Sequence, residues 1–97
     1  MSVARQFGSN LADQRQRAGI SQEELGIRAD VHRTEISQLE RGLRVPRLDT
    51  IIKLRDVLGV ATDELIAGIS WHPASISPGG FVSGGKQGRE DLPLASG

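Results

Sequence analysis

Along the first two thirds of the chain, apolar residues recur at helical spacing in five short runs. The first covers residues 3–18. Phe7 and Leu11 are four apart and Ala18 lies two helical turns further on, which predicts a helix with these side chains inward. Gly8 weakens that helix without forbidding it, and Gly19 ends it. Ile20 enters the core just ahead of Ser21, in the position of a hydrophobic staple. A second helix begins at Ser21, whose hydroxyl can cap the open N–H groups, with Glu24 at the capping-box spacing. Leu25 and Ala29 share its inward face. Asp30-Val31-His32 form a turn. A third helix is predicted over residues 33–41, with Ile36 and Leu39 inward and Gly42 suited to the left-handed conformation that stops helices. Residues 42–46 read as a loop, in which Pro46 holds Val45 extended. A fourth helix, 47–58, carries Leu48, Ile51, Ile52, Leu54 and Leu58 on its apolar side, with Lys53 and Arg55 in water. A fifth, 62–67, buries Leu65 and Ile66.

The pattern then changes. Residues 69–97 are rich in Gly, Ser and Pro and have no helical period. Trp71, Ile76, Phe81 and Val82 can form a small extended patch, such as a hairpin that docks on the helices or on a second subunit. Beyond residue 84 a mobile tail is expected. The fold class is therefore all-α: a compact five-helix domain over residues 1–68, followed by a Gly/Ser/Pro-rich C-terminal extension over residues 69–97 that is partly ordered or disordered.

The outer face of the third helix carries Arg33, Thr34, Ser37 and Gln38. Arg forks onto guanine, Gln onto adenine, and Thr and Ser serve several bases or a phosphate. Glu35 on the same helix belongs at the rim of such a surface, or on a cytosine amino group. Taken alone, a polar face of this kind is more often a solvated one.

Composition narrows the field. The 97 residues hold 12 Lys and Arg against 12 Asp and Glu, for a net charge of zero, so any basic patch is local. Most of the basic residues are Arg, which favours bidentate contacts over diffuse attraction. With no Cys, disulfides and Cys-based zinc sites are excluded. His32 and His72 lack a metal-ligand pattern, and no metal or cofactor is expected. No apolar run is long enough to span a bilayer, and MSVARQFGSN has no signal-peptide core; a soluble, cytoplasmic protein is expected. An enzyme is not: no catalytic set appears, and Gly79-Gly80 and Gly84-Gly85 lack the strand and helix of a phosphate-binding loop.

Leu11, Arg15, GISQEEL (19–25), IS-x-LERG (36–42), Pro46, the apolar helix to Leu58, LGV (58–60) and DEL (63–65) together resemble a known pattern. It is that of the Cro/CI-type (XRE-type) helix-turn-helix domain of phage repressors and many bacterial transcription regulators. The resemblance covers residues 5–68 and implies a five-helix domain of the phage-repressor type whose third helix reads DNA. It implies that Arg33, Thr34, Ser37 and Gln38 face base edges. It implies that Gln22 clamps a phosphate, where the helix start already favours an anion. Arg41, Arg44 and Arg47, around the loop after the third helix, are expected to grip phosphates. His32 either contacts a phosphate or simply starts the helix. Arg15 and Glu40 match a structural, mostly buried salt bridge. Three positions depart from the pattern. Gly26 replaces the usual Ala, at about 1 kcal/mol of helix propensity. Asp30 replaces the usual Gly of the turn, and Asp tolerates a left-handed conformation less well. His32 stands where Ser or Thr commonly caps.

The function implied is a sequence-specific, double-stranded-DNA-binding transcriptional regulator, a repressor-like homodimer reading an inverted-repeat operator. Its two recognition helices would lie about 34–36 Å apart. The fifth helix and the patch of Ile69, Trp71 and Phe81 are the candidates for the dimer contact. The alternative is a protein-interaction module of antitoxin or coactivator type, which uses the same helix-turn-helix fold to bind another protein; a third reading joins DNA binding by residues 1–68 with a protein partner taken through residues 69–83.

Overall fold

Capping residues decide where the helices of this chain begin and end. The structure is a computed structural model and describes residues 2–73 and 79–82; the expectations for Ile76 and for the segment beyond residue 84 lie outside these. Helix α1 spans Val3–Ala18, the predicted range, between the Ser2 hydroxyl, which accepts from the Arg5 N–H, and a left-handed Gly19. Helix α2 spans Gln22–Ala29. Ser21 caps it by accepting from the Glu24 N–H at 3.0 Å. The reciprocal half of the capping box is not made, because the Glu24 carboxylate accepts from Arg28 Nε instead. Asp30 closes α2 in the left-handed conformation, at φ 57°.

Helix α3 spans Arg33–Glu40. It ends one residue earlier than predicted, where the Gly42 N–H donates to the Leu39 carbonyl and the Leu43 N–H to that of Gln38. Helix α4 spans Leu48–Leu58, with Arg47 as its N-cap position. Helix α5 spans Thr62–Leu65, one turn with the Glu64 carboxylate accepting from the Ala61 N–H. Strand β1, Ser70–His72, pairs antiparallel with β2, Gly80–Val82, placing Trp71 opposite Phe81. This is the hairpin arrangement raised for the patch. The two rings meet edge to face with centroids 5.0 Å apart.

The core is Phe7, Leu11, Leu25, Ala29, Val31, Ile36, Leu39, Leu54 and Leu65, with Ile20, Ile51, Leu58 and Ile69 packed partly buried against it. Four expected core positions lie elsewhere. Ala18 is exposed, because α1 runs past the core after Leu11. Leu48, 73% exposed, and Ile52, 40% exposed, form an i, i+4 strip on α4. At 3.6 residues per turn that strip points well away from the face holding Thr50, Leu54 and Leu58. Ile66 is exposed because α5 stops at Leu65 and Ile66 is already its C-cap. Ile69, offered as an outward patch residue, packs on the core. Val31 was read only as part of a turn, yet it is buried.

Candidate nucleic-acid interface

Ile36 and Leu39 are fully buried, and this fixes the roll of α3. The opposite strip, one or four residues apart along the helix, is Arg33, Thr34, Ser37 and Gln38. Arg33 and Thr34 are exposed, Ser37 and Gln38 half-exposed, and exposed Arg41 continues the strip past the helix end. Glu35 lies beside it, half-buried, as expected of a rim residue. The structure thus brings the four expected base-facing residues together.

The expected phosphate-facing residues divide. Arg44 donates to Gln38 Oε1 at 2.9 Å and so joins the strip. Arg47 pairs with Asp49 at 3.2 Å; both are well exposed, and such a pair is worth little and breaks easily. His32 is the N-cap of α3, its Nδ1 accepting from the Thr34 N–H at 3.0 Å. It therefore fills the capping role of Ser or Thr, and the residue itself stays exposed. Gln22 donates through Nε2 to Glu40 Oε1 at 2.9 Å, which leaves one amide hydrogen and the carbonyl oxygen for a further partner.

Beneath the strip lies the anchor that sets it on the rest of the fold. Arg15 of α1 forks onto Glu40 of α3, with Nε to Oε2 at 2.6 Å and NH2 to Oε1 at 3.0 Å. The side chains are 14% and 7% exposed. The hydrogen bond to Glu40, aided by its charge, holds the Arg15 guanidinium above its ordinary pKa against the opposing effect of burial. Arg15 NH1 also donates to the Ile20 carbonyl at 2.9 Å. With Gln22 on the same carboxylate, one network fastens α1, the start of α2 and the end of α3. Arg15 and Glu40 thus form the mostly buried salt bridge that the resemblance implies.

Several supporting residues carried no signal in the sequence. Asn10 donates to the carbonyls of Leu65 and Ala67, each at 2.9 Å, and accepts from Gln6, tying the exit of α5 to α1. A lone Asn on a polar helix face gives no warning of this. Leu43 and Val45 are exposed in the loop between Arg41, Arg44 and Arg47. Among the described residues, no group of three or more His, Asp or Glu side chains is placed to hold a metal ion. No helix there is long and apolar enough to cross a membrane.

Comparison with known proteins agrees with this geometry. A helix-turn-helix family model matches residues 11–65. The chain is 38% identical over 66 residues to the uncharacterized HTH-type transcriptional regulator y4dJ of Sinorhizobium fredii, covering 68% of this chain and 86% of that protein. It is 44% identical over 50 residues to the control protein C.BamHI of Bacillus amyloliquefaciens, covering 52% of this chain and 62% of that protein. Among solved structures it resembles the restriction-modification controller protein C.AhdI from Aeromonas hydrophila. There the TM-score is 0.62 and the identity 34%, over 64% of this chain and 90% of that one. It also resembles the P22 c2 repressor solved with a synthetic operator, with TM-score 0.60 and 29% identity over 64% of this chain and 94% of that one. With the family pattern spread over more than half its length and the reading helix seated as that pattern requires, the chain belongs to the helix-turn-helix family, in the Cro/CI (XRE) type of DNA-binding transcriptional regulators.

Proposed function

We infer that the chain binds a specific operator as a homodimer, with α3 in the major groove of each half-site. The observation that carries this reading is the outward strip Arg33, Thr34, Ser37 and Gln38, set opposite fully buried Ile36 and Leu39. In this reading Arg33 forks onto guanine, Thr34 and Ser37 meet base edges or a phosphate, and Gln38 reads a base through its amide. Gln22, His32, Arg41 and Arg47 hold phosphates and so fix the register; Gln22 does so at a helix N-terminus, His32 through Nε2, the ring nitrogen the cap does not use. The P22 c2 structure with its operator supports the placement of α3. The family fold binds DNA and is not an enzyme.

Residues 1–68 form the reading unit, and the extension that follows serves the second copy, with α5 and the Trp71–Phe81 pair as the contact. The place of action is the cytoplasm, where the operator lies. One observation favours a second reading alongside the first: Trp71 and Phe81 are 49% and 63% exposed, an aromatic pair suited to a protein partner of another kind.

Selection from a random pool of duplex DNA with the full chain tests the function. An inverted repeat, its half-sites about one helical turn apart, is the expected product. If nothing is enriched even at low salt, operator binding fails and the protein-partner reading takes its place.

A further inference from the structure

Gln38 faces outward on α3, but its amide is not free. Arg44 NH1 donates to Gln38 Oε1 at 2.9 Å. A guanidinium has only donors, so the amide oxygen and not the nitrogen must face it. The loop backbone holds the two side chains near each other. Gly42 turns the chain back at φ 73°, and the Leu43 N–H, one residue before Arg44, donates to the Gln38 carbonyl at 2.9 Å.

A free glutamine reads adenine by accepting from N6 and donating to N7. With Arg44 on the oxygen, that pairing is disfavoured twice: one of the oxygen's two lone pairs is taken, and the adenine amino group would approach a cation. The groups left to face a base are mainly donors, the two amide hydrogens of Gln38 and the spare N–H groups of Arg44, beside the one remaining lone pair of the Gln38 oxygen. Guanine presents two acceptors, O6 and N7, in the major groove.

We propose that Arg44 is a positioning residue for specificity: by holding the Gln38 oxygen and placing a cation beside it, it turns the Gln38 amide hydrogens towards the base, so that the base beneath it is guanine rather than adenine. This rests on the base-reading role of α3 proposed above. Arg44 then acts on sequence choice, where a phosphate-gripping Arg acts on all sequences alike.

The test is duplex selection with the full chain as wild type, Gln38→Ala, Arg44→Met and Arg44→Lys. The base pair that relaxes in Gln38→Ala marks the position. There the wild type is expected to favour guanine over adenine by roughly 5- to 150-fold, the range for one bidentate contact. Arg44→Met keeps the stem and removes the donors; it is expected to move that position, and no other, to adenine. Arg44→Lys retains a donor and restores part of the guanine preference. Adenine at that position in the wild type overturns the proposal. So does an Arg44→Met that weakens every duplex equally and flattens the salt slope with base preference unchanged, the mark of a phosphate contact. In both cases an operator is still enriched, so operator binding stands; enrichment of no sequence by the wild type overturns both.

Discussion

A Cβ built on Gly8 of α1 would lie 2.3 Å from the carbonyl oxygen of Leu39 in α3 and 2.7 Å from that of Glu40. The two helix backbones are therefore in near contact at this point. Two turns further along α1, Arg15 reaches Glu40. Gly8→Ala gains about 1 kcal/mol of helix propensity, but the new methyl meets backbone, which cannot swing aside. Overpacking of this kind costs about 1–3 kcal/mol, and more when rigid atoms are involved. The net expectation is a thermal midpoint lower by roughly 5–10 °C for a domain of this size, read by circular dichroism. A midpoint that rises means α1 and α3 are not in contact there.

Asp30 is the one described non-glycine residue at positive φ. No cap needs its side chain; its backbone N–H donates to the Gly26 and Ile27 carbonyls. Asp30→Gly is expected to stabilise the domain by up to about 1 kcal/mol, since the left-handed conformation costs an L-residue about 1–2 kcal/mol and Asp less than most. Denaturant midpoints check this. A lower midpoint would assign the carboxylate a stabilising role of its own.

The Arg15–Glu40 pair lends itself to a double-mutant cycle. Glu40→Leu strands a guanidinium that is mostly buried and also removes the acceptor of Gln22; a loss of about 3 kcal/mol is expected, at the low end for buried pairs. Arg15→Met strands the carboxylate at similar cost. The double variant is expected to recover at least half of the summed loss, because replacing both members of such a pair is often close to neutral. Strict additivity in urea unfolding would deny the coupling.

Trp71 is the only tryptophan in the chain, and it stands half-exposed against Phe81. A lone two-stranded hairpin is marginal in water. If the pair forms the dimer contact, tryptophan emission shifts to shorter wavelength as the protein is concentrated through its association midpoint. Trp71→Lys is then expected to stay monomeric in sedimentation at concentrations where the wild type is a dimer. A dimer whose emission does not change with concentration places the contact elsewhere.

What the sequence could reveal followed the reach of each signal. Periodicity and caps located all five helices, because Ser21, Gly19 and Gly42 act on their own neighbours and need no distant partner. The reading strip was legible because burial of Ile36 and Leu39 leaves α3 one possible roll. What escaped depends on how the elements pack on one another. Gly26 reads as a weak helix residue, yet a Cβ there would lie 2.5 Å from the Val31 carbonyl oxygen; the glycine lets the turn pass close over α2. Leu48 and Ile52 read as core because α4 has apolar residues on more than one face, and only packing decides which face turns inward. Asn10 finds its partners 55 and 57 residues away.

The central claim is that this surface binds DNA through phosphates and chooses sequence through α3. It is tested most directly by titrating the selected operator and a scrambled duplex with the full chain across a salt series, for wild type and Arg47→Ala. The expected result is a steep linear fall of log affinity with log salt, each phosphate contact adding about 0.9 to the slope. The operator should hold an advantage of at least about 10³ over the scrambled duplex. Arg47→Ala should weaken both duplexes alike and flatten the slope by about 1 per copy bound. An affinity indifferent to salt, or equal for the two duplexes, would contradict the account.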